Sequence, residues 1–219
     1  MRWAQVLLVA LAYLVGSIPT SFIFARLRHG VDLRKTGSGN VGGSNLRSLE
    51  GAWATVLAGV ADIVKGALPV WLGLRLGLGH SAALSAGAAV IIGHDWSLWL
   101  GFRGGRGVAS TIGVLLVAFP YGCLWILVFL AMGALARQVG MAYFVAALGL
   151  TGLAAGLDRP PAVVALTIGL FALTVLKRLE ANRRFRTGVS PIERHERRVL
   201  LSRLLLDRDQ WRLEGLPGA

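Results

Sequence analysis

The sequence predicts an all-α fold, a polytopic membrane helix bundle of about seven membrane segments, two of them short, with its motif loops on the cytoplasmic side. Three observations lead there. Hydrophobic residues make up 55% of the chain and charged residues only 16%, with a mean hydropathy of +0.63. That balance is too apolar for a domain whose surface meets water. Apolar runs near 3–25, 52–74, 81–101, 138–157 and 160–176 approach the ~20 residues needed to cross a hydrocarbon core of ~30 Å. The third observation is the placement of Lys and Arg between these runs.

The first run continues into Gly16-Ser17-Ile18-Pro19 without a small-residue cleavage pattern, so it is expected to stay in the mature protein. Arg26, Arg28, Arg34, Lys35 and Arg47 follow it. Next come the runs 52–74 and 81–101, then a short loop with Arg103 and Arg106. The stretch 108–136 is long for one span and short for two, and Pro120 interrupts it. After residue 176 there are eleven further Lys and Arg residues, whereas the links near 75–80 and 158–159 hold one arginine each. The positive-inside rule therefore places the motif loops in the cytoplasm. Two short passes turning near Pro120 are needed to keep the basic C-terminal region on that side too, with the N-terminus outside.

Residues 1–190 read as one membrane domain and 191–219 as a basic amphipathic cytoplasmic tail. In the tail, Val199-Leu200-Leu201 and Leu204-Leu205-Leu206 recur among Arg197, Arg198, Arg203 and Arg208, with Trp211 beyond. This spacing suits an interfacial helix on an anionic leaflet; a solvated basic tail is the plainer alternative. The net charge of +12 is explained by membrane lipids as partners. Nucleic acid is not expected as a partner, because no aromatic-interleaved basic module accompanies the charge. Cys123 is the single cysteine, and His29, His80, His94 and His195 do not fall at i, i+4 spacing. No metal and no cofactor are expected.

Two glycine-rich segments sit between apolar runs: Gly37-Ser38-Gly39-Asn40-Val41-Gly42-Gly43-Ser44-Asn45-Leu46-Arg47 and Phe102-Arg103-Gly104-Gly105-Arg106-Gly107-Val108. Glycine reaches positive φ and has no Cβ, so successive amides can converge on an anion, and arginine adds charge and forked donors. Two such loops point to an enzyme for phosphorylated substrates.

Taken with Gly16-Ser17-Ile18-Pro19, Asp62-x-x-Lys65-Gly66-x-x-Pro69-Val70 and Gly93-His94, these segments closely resemble the bacterial acyl-phosphate:glycerol-3-phosphate acyltransferase family, the PlsY type, from about residue 13 to residue 188. The resemblance implies transfer of a fatty acyl group from acyl phosphate to the 1-position of sn-glycerol 3-phosphate in the bacterial inner membrane. Lysophosphatidic acid and phosphate would be the products, in phospholipid biosynthesis. It implies that residues 1–190 are the acyltransferase domain and that Ser38, Arg47, Arg106 and Lys177 are catalytic. Arg106 takes the place of the family's usual lysine. Gly39, Asn40, Gly42, Asn45, His94, Gly104, Gly105 and Gly107 would bind substrate or phosphate, and Asp62, Lys65 and Glu180 would support the site. The family's third motif reads approximately His-Arg-x-Glu-Asn-Ile-x-Arg-Leu-x-x-Gly. Arg178, Glu180, Arg184 and Gly188 match it, whereas Lys177 replaces its histidine and Ala181 its asparagine, with Asn182 one place on. The first motif is one residue short between Asn45 and Arg47, and Gly140 and Ala142 stand where the family tends to have serine.

An acyl phosphate is already activated, so this chemistry needs no acyl-enzyme. It needs two repelling phosphates neutralised and a hydroxyl held against the acyl carbon. A substrate phosphate oxygen or His94 would accept the hydroxyl proton. The His-x-x-x-x-Asp pair of soluble-type glycerolipid acyltransferases is excluded, since no histidine here has Asp five residues later. Each feature also has a structural reading. Gly39, Gly42 and Gly43 can serve turns or close helix contacts, His94 can bond across helices, and Asp62 can pair with Lys65 within a span. Two other functions remain open at this point: a diverged homologue without activity, and a transporter or channel for phosphorylated or anionic solutes.

Overall fold

The computed structural model describes residues 2–36 and 39–186, and for 181–186 the backbone course alone. The expected tail at 191–219 lies outside the described residues. Among the described residues, nine α-helices form the bundle: α1 (Arg2–Ser17), α2 (Thr20–His29), α3 (Gly43–Glu50), α4 (Ala52–Arg75), α5 (His80–Asp95), α6 (Val108–Ala118), α7 (Pro120–Leu135), α8 (Val139–Gly156) and α9 (Pro161–Arg186). Four stretches are long and apolar enough to cross a membrane: 2–29, 52–75, 139–156 and 161–180. Two shorter apolar helices, α6 and α7, accompany them.

The break at Pro120 is where the sequence places it. Phe119 leaves helical geometry, with φ −156° and ψ 78°, and Pro120 opens α7, where its missing N–H costs no helical bond. Two expected segments are corrected. The run 3–25 is not one helix but is interrupted at Ile18–Pro19, because the residue before a proline is pushed out of the α region. The run 81–101 is helical only to Asp95. It then passes through a single 3₁₀ turn, Leu98–Leu100, into Gly101 and Phe102 at φ 63° and 60°, which reverse the chain.

Because lipid is as apolar as the side chains, membrane helices associate through close packing and hydrogen bonds, and small residues let backbones approach. Two crossings show this. A Cβ on Gly16 would overlap the Val90 carbonyl, and one on Gly93 would overlap the Tyr13 carbonyl and the Gly16–Ser17 backbone. So α1 and α5 cross glycine against glycine. Likewise, a Cβ on Gly66 would strike the Ser110 carbonyl, and one on Gly113 the Ile63 carbonyl, which fixes α4 against α6. Beside these crossings, Val114, Leu115, Phe119, Cys123, Ile126, Leu150 and Val163 form the buried core that joins α6 to α7, α8 and α9.

A side chain at the α1–α5 crossing has no room. Gly93→Val is expected to destabilise the protein by about 2 kcal/mol or more, as overpacking does, with a lowered thermal unfolding midpoint in detergent. An unchanged midpoint would show that the crossing tolerates a wider spacing.

Candidate active site

The site begins where α1 and α5 end. A helix leaves its last carbonyls without intrahelical donors, and away from water each needs another partner. At the end of α1 the Ser17 carbonyl accepts from Ser97 Oγ, and the Ile18 carbonyl accepts from Lys65 Nζ at 2.9 Å. At the end of α5 the His94 carbonyl accepts from the Gly105 amide at 3.0 Å. The Asp95 carbonyl accepts from Lys177 Nζ, and the Trp96 carbonyl from Tyr13 Oη at 3.0 Å.

Around these ends lies a buried polar network. Asp62 Oδ1 accepts from Thr20 Oγ1 at 2.6 Å and pairs with Lys65 Nζ at 2.7 Å. His94 Nδ1 faces the same oxygen at 3.6 Å. The other side of the imidazole, Nε2, lies against Gly105, where a Cβ would overlap it. His94 is thus held between Asp62 and the glycine loop. Lys177 also pairs with Glu180 at 3.0 Å and sits 4.9 Å from the Trp96 ring centroid. Its neighbour Arg178 donates to the Gly140 carbonyl and lies 4.6 Å from the Phe144 ring centroid, which locks α9 to α8.

The loop glycines divide by role. Gly104 lies against the carbonyls of His94 and Asp95, and Gly105 against the His94 ring; both are glycines because backbone meets backbone or ring. The Gly105 amide is already spent on His94, so it is not one of the donors that the sequence reading offered to a phosphate. Gly107 is different. At φ 65° it is the left-handed residue before α6, without a side-chain cap, so the first amides of α6 lie beside the half-buried Arg106. Asp95, buried at 2% exposure, turns its carboxylate toward Gly107. The sequence reading missed Asp95, and its only signal was a carboxylate at the end of an apolar run.

In the first loop, Ser38 lies outside the described residues. Asn45 is buried, and its Nδ2 donates to the carbonyls of Leu33, Thr36 and Asn40 at 3.0, 3.0 and 2.9 Å. It therefore shapes the loop on both sides of Ser38. Gly39 takes φ 69°. Gly42 precedes α3 and packs on the Asn40 side chain, while Gly43 meets Thr55 on α4. Arg47 is exposed in the last turn of α3. Asp32 caps the nearby 3₁₀ turn and binds Arg34 at 2.7 Å. The Arg34 hydrogen bond outweighs the small cost of desolvation and holds the Asp32 carboxyl at about 2, below its ordinary 3.8.

The structure thus brings together His94, Asp62, Lys65, Gly104, Gly105, Gly107, Lys177 and Glu180. The Gly39–Arg47 segment is attached to this cluster through α4, at Thr55, roughly two turns before Asp62. Among the described residues no group of three or more His, Cys, Asp or Glu has the geometry to hold a metal ion.

The profile of the family described as glycerol-3-phosphate acyltransferase matches residues 6–188. The chain belongs to the glycerol-3-phosphate acyltransferase family. It is 35% identical to the glycerol-3-phosphate acyltransferase of Geobacter sulfurreducens, over 84% of this chain and 95% of that one. It is 36% identical to that of Syntrophomonas wolfei, over 83% and 93% of the two chains. Two crystal structures of PlsY, an integral membrane glycerol 3-phosphate acyltransferase, share the fold. The glycerol 3-phosphate form superimposes with TM-score 0.75 at 31% identity, covering 90% of this chain and 98% of that one. The lysophosphatidic acid form gives 0.73 at 30% identity. Membership makes this chain an integral membrane acyltransferase. Helix α9 runs through to Arg186.

Two predictions follow from this geometry. Gly105→Ala forces a methyl into the His94 ring, which Asp62 confines, and is expected to lower turnover at least about tenfold while the protein still enters the membrane; wild-type turnover would show the loop free to move. The Asp32 carboxyl has a lowered folded-state value. Its pairing stability is present above the unfolded value of 3.8 and is lost as pH falls through about 2. A ¹³C titration of that carboxyl should find its midpoint near the lower value, and a midpoint at 3.8 would show the pair absent.

Proposed function

We propose that this acyltransferase moves a fatty acyl group from acyl phosphate to the 1-position of sn-glycerol 3-phosphate, releasing lysophosphatidic acid and inorganic phosphate. The site would open to the cytoplasm from a bacterial inner membrane, and residues 1–190 would form the catalytic domain. The observation that carries this reading is the pinned glycine loop. It sets Arg106 and the first amides of α6 at the bundle end that also holds the Gly39–Arg47 segment. Two phosphorylated groups and an acyl carbon need such a place.

In the reaction, the 1-hydroxyl oxygen bonds to the acyl carbonyl carbon, and the bond from that carbon to the phosphate oxygen breaks. The hydroxyl proton leaves with a phosphate oxygen. Arg106 and Arg47 offset the charge of the two phosphates, and α6 contributes the positive end of its dipole. Ser38, on the loop shaped by Asn45, would orient the substrate phosphate or hydroxyl. Binding of glycerol 3-phosphate or lysophosphatidic acid is stated in the names of the two PlsY structures; the same ligands are proposed here, with acyl phosphate as donor.

The test is phosphate release by purified protein in detergent supplied with palmitoyl phosphate and glycerol 3-phosphate. Release above a heat-inactivated control is expected, and Arg106→Ala should lower it by a factor of about 100 or more, as loss of a charge-stabilising donor does. No release, accompanied by solute flux in proteoliposomes, would overturn the reading in favour of transport.

A further inference from the structure

We infer that Lys177 is a positioning residue: it holds the end of α5, and through it the Gly104–Gly107 loop, and does not accept the hydroxyl proton. The environment of Nζ decides this. Its neighbours include the Asp95 carbonyl, the Glu180 carboxylate at 3.0 Å and the face of Trp96 with its centroid at 4.9 Å. A carbonyl oxygen, a carboxylate and an aromatic face are all electron-rich, and together they select an ammonium with its three protons pointing outward. A lone pair aimed at any of them would be repelled, so the nitrogen has none to offer a substrate.

What the ammonium does instead follows from what rests on α5. The loop touches the last residues of that helix through three of its own residues: the Gly105 amide on the His94 carbonyl, Gly104 against the Asp95 carbonyl, and Gly107 against the Asp95 carboxylate. Lys177 binds that same Asp95 carbonyl. A cation at a helix C-terminus also opposes the negative end of the dipole. Glu180, one turn along α9, holds the ammonium in place, so both members of the pair come from α9. The lysine that stands where the family motif has histidine is therefore a brace between α9 and the loop carrying Arg106.

The kinetic part of the test rests on the acyltransferase reading, and the exchange part does not. Lys177→Arg keeps the charge and the donors but cannot accept a proton. Lys177→Met removes both, and Lys177→His restores the family's residue. Full-length protein in detergent is measured by hydrogen–deuterium exchange and by phosphate release from palmitoyl phosphate with glycerol 3-phosphate. Lys177→Met should speed exchange across 103–107 by about tenfold with α7 and α8 unchanged. It should also raise KM for glycerol 3-phosphate by about tenfold or more. Lys177→Arg should restore both to within about threefold of wild type, and Lys177→His neither. Unchanged exchange in Lys177→Met would overturn the brace whether or not the protein turns over. So would turnover lost in Lys177→Arg and kept in Lys177→His, the pattern of a proton acceptor. Absence of turnover in the wild type would refute the acyltransferase reading alone and leave the exchange result to decide the brace.

Discussion

Two helices of this bundle end in surroundings that offer their carbonyls little water, and those ends organise everything near them. Ser17 and Ile18 on one side and His94, Asp95 and Trp96 on the other have carbonyls left over by helix geometry. Each finds a donor from another part of the chain: Ser97, Lys65, Gly105, Lys177 and Tyr13. The donors come from α1, α4, α9 and the segment between α5 and α6. Satisfying five carbonyls therefore ties together most of the elements that a site would need, and the glycine loop is placed by the same bonds that finish α5.

The buried charges follow from this. An ammonium brought in to cap a carbonyl is itself costly to bury unless a counter-charge comes with it. Lys65 arrives with Asp62, three residues earlier, and Lys177 with Glu180, three residues later. Asp62 then has capacity to accept from Thr20 and to face His94, so α2 and α5 join the same network. Removing one partner of such a pair leaves a desolvated charge, which is far worse than never having buried either. That asymmetry explains why each buried ammonium in the network stands beside a carboxylate.

Glycine serves the site in two ways. Gly104 and Gly105 allow close approach to α5, as Gly16, Gly66, Gly93 and Gly113 do between helices. Gly39 and Gly107 instead supply left-handed backbone at the turns. A pure anion cradle would need all loop amides free, and the Gly105 amide is bonded to His94. On the proposed reading, the positive charge for the substrates comes from Arg106, Arg47 and the start of α6, with the glycines setting the course of the loop.

Hydropathy and the placement of Lys and Arg predicted the class of fold and the turn at Pro120, because apolar runs, a proline and basic loops each act on the local chain. Motif order likewise marked Asp62, Lys65, His94, Gly104 and Gly105 as belonging together. The break at Ile18–Pro19 was not legible, since apolar residues continue on both sides and the hydropathy signal does not fall. Nor was the role of Asn45, whose three carbonyl partners are set by loop shape and not by spacing. Lys177 and Asp95 are 82 positions apart, and nothing periodic joins them. Only the packing of α9 against α5 turns that lysine from a substituted histidine into the cap of a helix, because a hydrogen bond depends on where two backbones end in space.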